Sequence, residues 1–245
     1  MNPLFTVEEM QEVLAHPQKV SGEGIGLYRN GYRSHGLDFW GLKPGSEVVH
    51  FFNQMASLPW TEFSVLELGA GTGKNIMEFV RRDVKRAIAV EIDSLAMATL
   101  LDVTVKLEES GLLPEGRIAL VKDDALSFLK HNREQFDIVV CYGLLHVFKE
   151  ESVLHQVIDA IRQIVLKSGY LIMQSLTDKY PAPDIQPELK GVIMNPERIK
   201  TLFGPENWSL LHWDETDIVH SHAGSEENHR HGSVRAIFKH CSASK

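Results

Sequence analysis

The sequence predicts an α/β fold: a doubly wound, mostly parallel sheet of about seven strands with helices on both faces. Three observations carry this. From residue 64 onward, short β-branched runs lack polar alternation, as strands buried on both faces do. Most of them are followed by a longer segment with helical spacing, the rhythm of repeated βα units. The first run ends in a glycine-rich turn, VLELGAGTGKN, where a strand passes into a helix through Gly69, Gly71 and Gly73.

Thr6 with Glu9 forms a capping-box pattern that opens a helix over Val7–Ala15. Ser46 is a candidate cap for a second helix, Glu47–Ala56, with Val48, Val49, Phe52 and Met55 expected on one face. The strand runs are Ser64–Leu68, Arg86–Ile92, Arg117–Lys122, Phe136–Cys141 and Gly169–Ser175. Helices are expected between them at Asn75–Arg82, Ser94–Ser110, Ala125–Lys130 and Glu151–Leu166. Pro181, Pro183 and Pro187 then mark a loop, and Asn195 caps a short helix with Pro196 at its first position. Ser209–His220 and Arg230–His240 close the chain as an antiparallel hairpin across the polar turn AGSEEN. We read one domain over residues 1–245, with a helical entry or lid segment to residue 60, a cofactor-binding core over 61–176 and an acceptor-side segment over 177–245.

Composition narrows the function classes. A chain of 245 residues with 25 Lys and Arg against 33 Asp and Glu carries a formal charge of −8, which repels phosphate backbones, so nucleic acid is not expected as a partner. No run approaches the ~18 apolar residues a membrane span needs, and the acidic MNPLFTVEEM start lacks the basic flank of a signal peptide. Cys141 and Cys241 stand far apart without CxxC spacing, which excludes a disulfide framework and fits a reducing cytoplasmic setting. The oligomeric state is not written in the chain.

The glycine turn is a cofactor loop, because bare backbone lets a ligand approach and the amides at a helix start favour an anionic group. It is not a nucleotide P-loop: position 68 is Leu68 where that pattern needs Gly, and Asn75 replaces the metal-binding hydroxyl. It also misses the dinucleotide spacing, since its glycines follow G-x-G-x-G. The second strand ends in Glu91, about 20 residues on, where a carboxylate can accept both ribose hydroxyls. The third ends in Asp123 and Asp124, suited to an exocyclic adenine amine. Glycine, acid and acid thus fall on the carboxyl edge of one sheet, where ligands bind in such folds.

With these motifs in place the sequence resembles the class I S-adenosylmethionine-dependent methyltransferases, a Rossmann-like family, over roughly Ser64 to Ser175. VLELGAGTG resembles that family's first motif, AVEID its ribose acid, KDDAL its adenine-binding strand end and FDIVVCYGLLHVF its segment after strand four. The resemblance implies S-adenosylmethionine as cofactor. Glu67, Gly69, Ala70, Gly71 and Gly73 would line its methionine and ribose portion, Glu91 with Ile92 the ribose, and Asp124 with Ala125 the adenine, with Asp123 as the competing adenine contact. Tyr142 joins the cofactor set, and Arg33 with Tyr32, in the GLYRNGYRSHGLDFW segment, would close over the methionine carboxylate.

The tail narrows the comparison, because it is similar to the tellurite-resistance (TehB-like) small-molecule methyltransferases. That likeness implies that His220 and Arg230 on the closing hairpin face the methyl group, although Ser221 stands where that family tends to have Arg. His146 is a candidate general base whose alternative is a structural role in an apolar run. The segment after strand four lacks the Asn/Asp-Pro-Pro-aromatic motif of enzymes that methylate planar amino groups, so an apolar small-molecule pocket is expected. His220 with His222 and His229 with His231 repeat an H-x-H spacing that suits a metal, but no acid or thiol ligand lies nearby in sequence and no metal is assigned. The expected function is methyl transfer to a small-molecule acceptor; a protein acceptor, or a non-catalytic metal-binding module built on the His-rich hairpin, are the alternatives.

Overall fold

The computed structural model describes residues 4–16, 43–180, 192, 194–204, 206–220 and 229–241. Its helices are α1 (Val7–Ala15), α2 (Ser46–Gln54), α3 (Ile76–Val80), α4 (Ser94–Glu109), α5 (Ala125–His131), α6 (Glu151–Ile164) and α7 (Pro196–Leu202). Its strands are β1 (Ser64–Leu68), β2 (Arg86–Glu91), β3 (Ile118–Lys122), β4 (Phe136–Tyr142), β5 (Val165–Thr177), β6 (Trp208–His220) and β7 (His229–His240). They form one seven-stranded sheet in the order β3-β2-β1-β4-β5-β7-β6. The first five strands pair in parallel, and β7 runs antiparallel to both β5 and β6. The expected hairpin is therefore present, but its second strand is inserted between β5 and β6, so β6 forms the edge and β7 alone runs against the sheet.

Alternation along each strand divides the core into two layers. Val65, Ile138, Val140, Ile172 and Ile237 face α1 to α4, whereas Leu66, Val139, Cys141, Met173 and Ala236 face α5 to α7. Full burial of side chains on both faces explains why these strands read as unbroken apolar runs. The entry segment belongs to the first layer: Phe5 donates its amide to the Leu120 carbonyl at 3.0 Å, Met10 is buried, and Phe51 of α2 meets Tyr170 edge-on at 5.1 Å. Thr6 and Glu9 close the expected capping box.

Some boundaries differ, each for a physical reason. The cap of α2 is Gly45, with Ser46 inside the helix, and its buried stripe is Val48, Phe51 and Phe52 rather than one including Val49, which is 43% exposed. The helix expected over Asn75–Arg82 contracts to α3 because the Asn75 side chain is engaged elsewhere and the chain turns at Asp83, whose φ is 58°. Strand β5 starts at Val165, not Gly169: it pairs once with Phe136, loops outward through Ser168 at φ 70°, and rejoins β4 at Tyr170. Gly169 is required there, since a Cβ would lie 2.7 Å from the Asp137 carbonyl oxygen. No helix of the described residues is long and apolar enough to cross a membrane.

Candidate functional site

The turn after β1 is built from left-handed backbone, with φ of 72° at Gly69, 56° at Gly71 and 85° at Gly73. The amides of Gly69 and Ala70 reach the Val90 carbonyl at 2.9 and 3.0 Å, which fastens the turn to the end of β2. Gly73 has a packing reason as well, because a Cβ there would overlap the Leu100 side chain of α4. A Cβ on Gly69 would sit 3.4 Å from Leu144 Cδ1, so the turn lies directly beneath the segment that follows β4.

Two acids hold this turn. Glu91 Oε2 accepts the Gly71 amide at 2.8 Å, and Oε1 accepts those of Ile92 and Asp93, each at 2.8 Å. Three of the roughly four lone-pair directions of the carboxylate are thus in use, leaving one on Oε2. Burial pushes the Glu91 carboxyl above its ordinary value. Glu67 is fully enclosed: Oε1 accepts Asn75 Nδ2 and Oε2 accepts the Ile76 amide, both at 2.8 Å, and burial raises its carboxyl to about 8. Asn75 Oδ1 in turn accepts the Gly45 amide at 2.8 Å, so Glu67 positions the start of α3 and, through Asn75, the start of α2.

At the end of β3, Asp124 caps α5 by accepting the amides of Leu126 and Ser127 on Oδ1, at 2.9 and 3.1 Å. Both bonds fall on one oxygen, and Oδ2 of this exposed side chain is left for a ligand. Asp123 is half-buried and accepts the Asp124 amide at 2.8 Å, while its own amide bonds the Glu91 carbonyl at 3.1 Å. Ala125 is buried at the first position of α5. The structure thus gathers Glu67, Gly69, Ala70, Gly71, Glu91, Ile92 and Asp124 along one edge.

The remaining expected residues are dispersed. Tyr142 ends β4 with its ring against Gly45, where any Cβ would overlap it, and Lys74 Nζ lies 5.5 Å from the ring centre. Burial, with Glu47 nearby, pushes the Tyr142 phenol to about 12. His146 is 3% exposed, accepts the Leu176 amide on Nδ1 at 3.2 Å, and is driven by burial and by His231 to about 3. A neutral, enclosed imidazole of this kind orders the chain and is a poor match for proton abstraction near neutral pH. Arg230 is exposed, its Nη1 3.5 Å from the Tyr180 hydroxyl and 3.8 Å from Asp217 Oδ2. His220 pairs in register with His229 at the end of β6, and their side chains lie outside the described residues, as do Arg33 and His222. Among the described residues no group of three His, Cys, Asp or Glu side chains is arranged for a metal ion.

Beside Tyr142 the sheet face turns polar. Tyr142, Gln174, Arg235 and Asp214 stand opposite one another in register across β4, β5, β7 and β6. Glu47 of α2 lies over this row, its Oε1 3.5 Å from Arg235 Nε. Sequence reasoning missed Glu47, Lys74 and Arg235; the Lys74 position next to the glycine turn was the one signal available.

Comparison with known proteins agrees with this geometry. Residues 65–169 match the family model described as a methyltransferase domain. The stretch that is similar to this methyltransferase class runs from β1, with its glycine turn, into β5. Within that class its fold is similar to TehB from Haemophilus influenzae, with a TM-score of 0.62 and 16% identity over 81% of this chain and 62% of TehB. It is equally similar to the N-methyltransferase NodS from Bradyrhizobium japonicum, solved with S-adenosyl-L-homocysteine, with a TM-score of 0.61 and 16% identity over 89% of this chain and all of NodS. A 119-residue stretch is 33% identical to protein arginine N-methyltransferase 6 of Danio rerio, covering 49% of this chain and 32% of that protein.

Proposed function

We propose that this chain transfers a methyl group from S-adenosylmethionine to a small-molecule acceptor in the cytoplasm. The observation that carries the reading is the bond between Gly71 and Glu91, which locks a glycine turn of bare backbone to an acid at the adjoining strand end. The residues fit the adenosyl group: Glu91 keeps one acceptor direction for a ribose hydroxyl, Asp124 keeps Oδ2 for an adenine amine, and Gly69 admits a ligand that a side chain would crowd. When bound, the cofactor supplies a sulfonium-activated methyl group. The protein's own work is to hold the nucleophile in line with that methyl and to exclude water.

Cys141 and Cys241 are free thiols, in keeping with a reducing compartment. The stretch related to an arginine methyltransferase favours a second reading in which the acceptor is a protein. One experiment separates the two. A cell extract is incubated with the enzyme and methyl-labelled S-adenosylmethionine, then divided by ultrafiltration. We expect enzyme-dependent label in filtrate compounds separated chromatographically from the donor; label transferred only to the protein fraction establishes the second reading, and calorimetry showing no S-adenosylhomocysteine binding rejects both.

A further inference from the structure

We infer that the polar row beside Tyr142 is the acceptor subsite and that it selects an acceptor carrying a protonated amine, an inference that rests on the methyl-transfer reading above. Tyr142, Gln174, Arg235 and Asp214 occupy one cross-sheet row on the face covered by α2. The preceding row on that face, from Val140 through Ile172 to Ile237, is buried and apolar, so across β4, β5 and β7 the polar row begins one step nearer the carboxyl edge. That edge adjoins the cofactor turn through continuous contacts, since Gly45 bonds Asn75 and packs on the Tyr142 ring.

The row is incompletely satisfied. Glu47 is 2% exposed, yet its Oε2 makes no hydrogen bond. Arg235 approaches Glu47 at 3.5 Å and Asp214 at 3.6 Å, and its buried Nε also lacks a hydrogen-bond partner. Burying charge in loose pairs costs stability that apolar side chains of similar size would not, so the fold itself does not demand this arrangement. The balance of charge then states what is missing. Within the row two carboxylates, Glu47 and Asp214, face one guanidinium, so these three groups carry one negative charge in excess, with Lys74 standing at the Tyr142 end. A ligand ammonium completes Glu47 and neutralises the row, whereas a ligand carboxylate meets two like charges.

The test titrates the full chain, saturated with S-adenosylhomocysteine, with n-butylammonium and with butyrate, followed by nuclear magnetic resonance. We expect n-butylammonium to bind, butyrate not to, and Glu47→Gln to weaken the amine ~10-fold while leaving S-adenosylhomocysteine affinity within about twofold. Because Glu47 is buried, Asp214→Asn at the accessible rim serves as a second variant, with an expected loss of about 2–5-fold. Preferential binding of butyrate, no binding of either probe, or amine binding indifferent to both substitutions overturns the inference while the methyl-transfer reading stands. Failure of wild-type protein to bind S-adenosylhomocysteine removes both.

Discussion

Glu67, buried, and Glu91, half-buried, are acids at neighbouring strand ends, and they do different work. Glu91 holds the glycine turn at Gly71, whereas Glu67 organises two helix starts. Glu91→Ala removes a charged acceptor and frees the Gly71 amide, so the dissociation constant for S-adenosylhomocysteine is expected to rise ~10–100-fold by calorimetry. Glu67 instead gives a pH signature. Its carboxyl rises on folding from 4.5 to about 8, so the folded state binds the proton more tightly. The stability this provides is complete below the unfolded value and is lost as pH climbs through the folded one. Urea midpoints should therefore fall between pH 5 and 8, and Glu67→Gln should flatten that fall; an identical slope in the variant would show that the acid is not protonated on folding. The glycines and the two strand-end acids were legible in the sequence because each sits at a boundary between apolar and turn-forming residues. Glu47 and Arg235 were not, because nothing local distinguishes a buried ionised side chain from a solvated one.

Elements show a similar division between local and distant causes. Capping at Thr6 and Asn195 was legible because a cap is satisfied within three residues. The inward face of α2 was misjudged at Val49, since Val48 and Val49 are equally apolar and the helix is turned instead by Phe51, which packs its ring against Tyr170 and Trp60. Val48→Ser is accordingly expected to cost about 1–3 kcal/mol in denaturant unfolding, and Val49→Ser within about 0.5 kcal/mol of zero. The outward loop between Val165 and Tyr170 hid the start of β5, because it breaks the apolar run with polar residues. At Gly73, Ala would strain a φ of 85° and overlap Leu100. That variant should lose about 1–3 kcal/mol, and trimming Leu100 to Ala in the same chain should not restore it, because the backbone strain remains.

Across the whole molecule, the doubly wound sheet was legible while its closing order was not. Parallel βα units announce themselves by rhythm, but the slot that β7 occupies is chosen by pairing with Tyr170 to Thr177, some sixty residues upstream. The polar row shares that origin, since it exists only after four strands align. Ligand and fold should be coupled at this scale: S-adenosylhomocysteine at about 100 times its dissociation constant is expected to raise unfolding free energy by about 2.7 kcal/mol. An unchanged melting temperature at that concentration would mean that the folded chain does not bind the ligand.

The insertion of β7 also governs what happens while the polypeptide leaves the ribosome. Until residues 229–240 emerge, β6 has no neighbour to pair with and β5 presents an open hydrogen-bonding edge. A premature stop before that stretch would thus leave β6 unpaired and the far edge of β5 open rather than one missing margin, a nascent chain prone to sticking to its own copies.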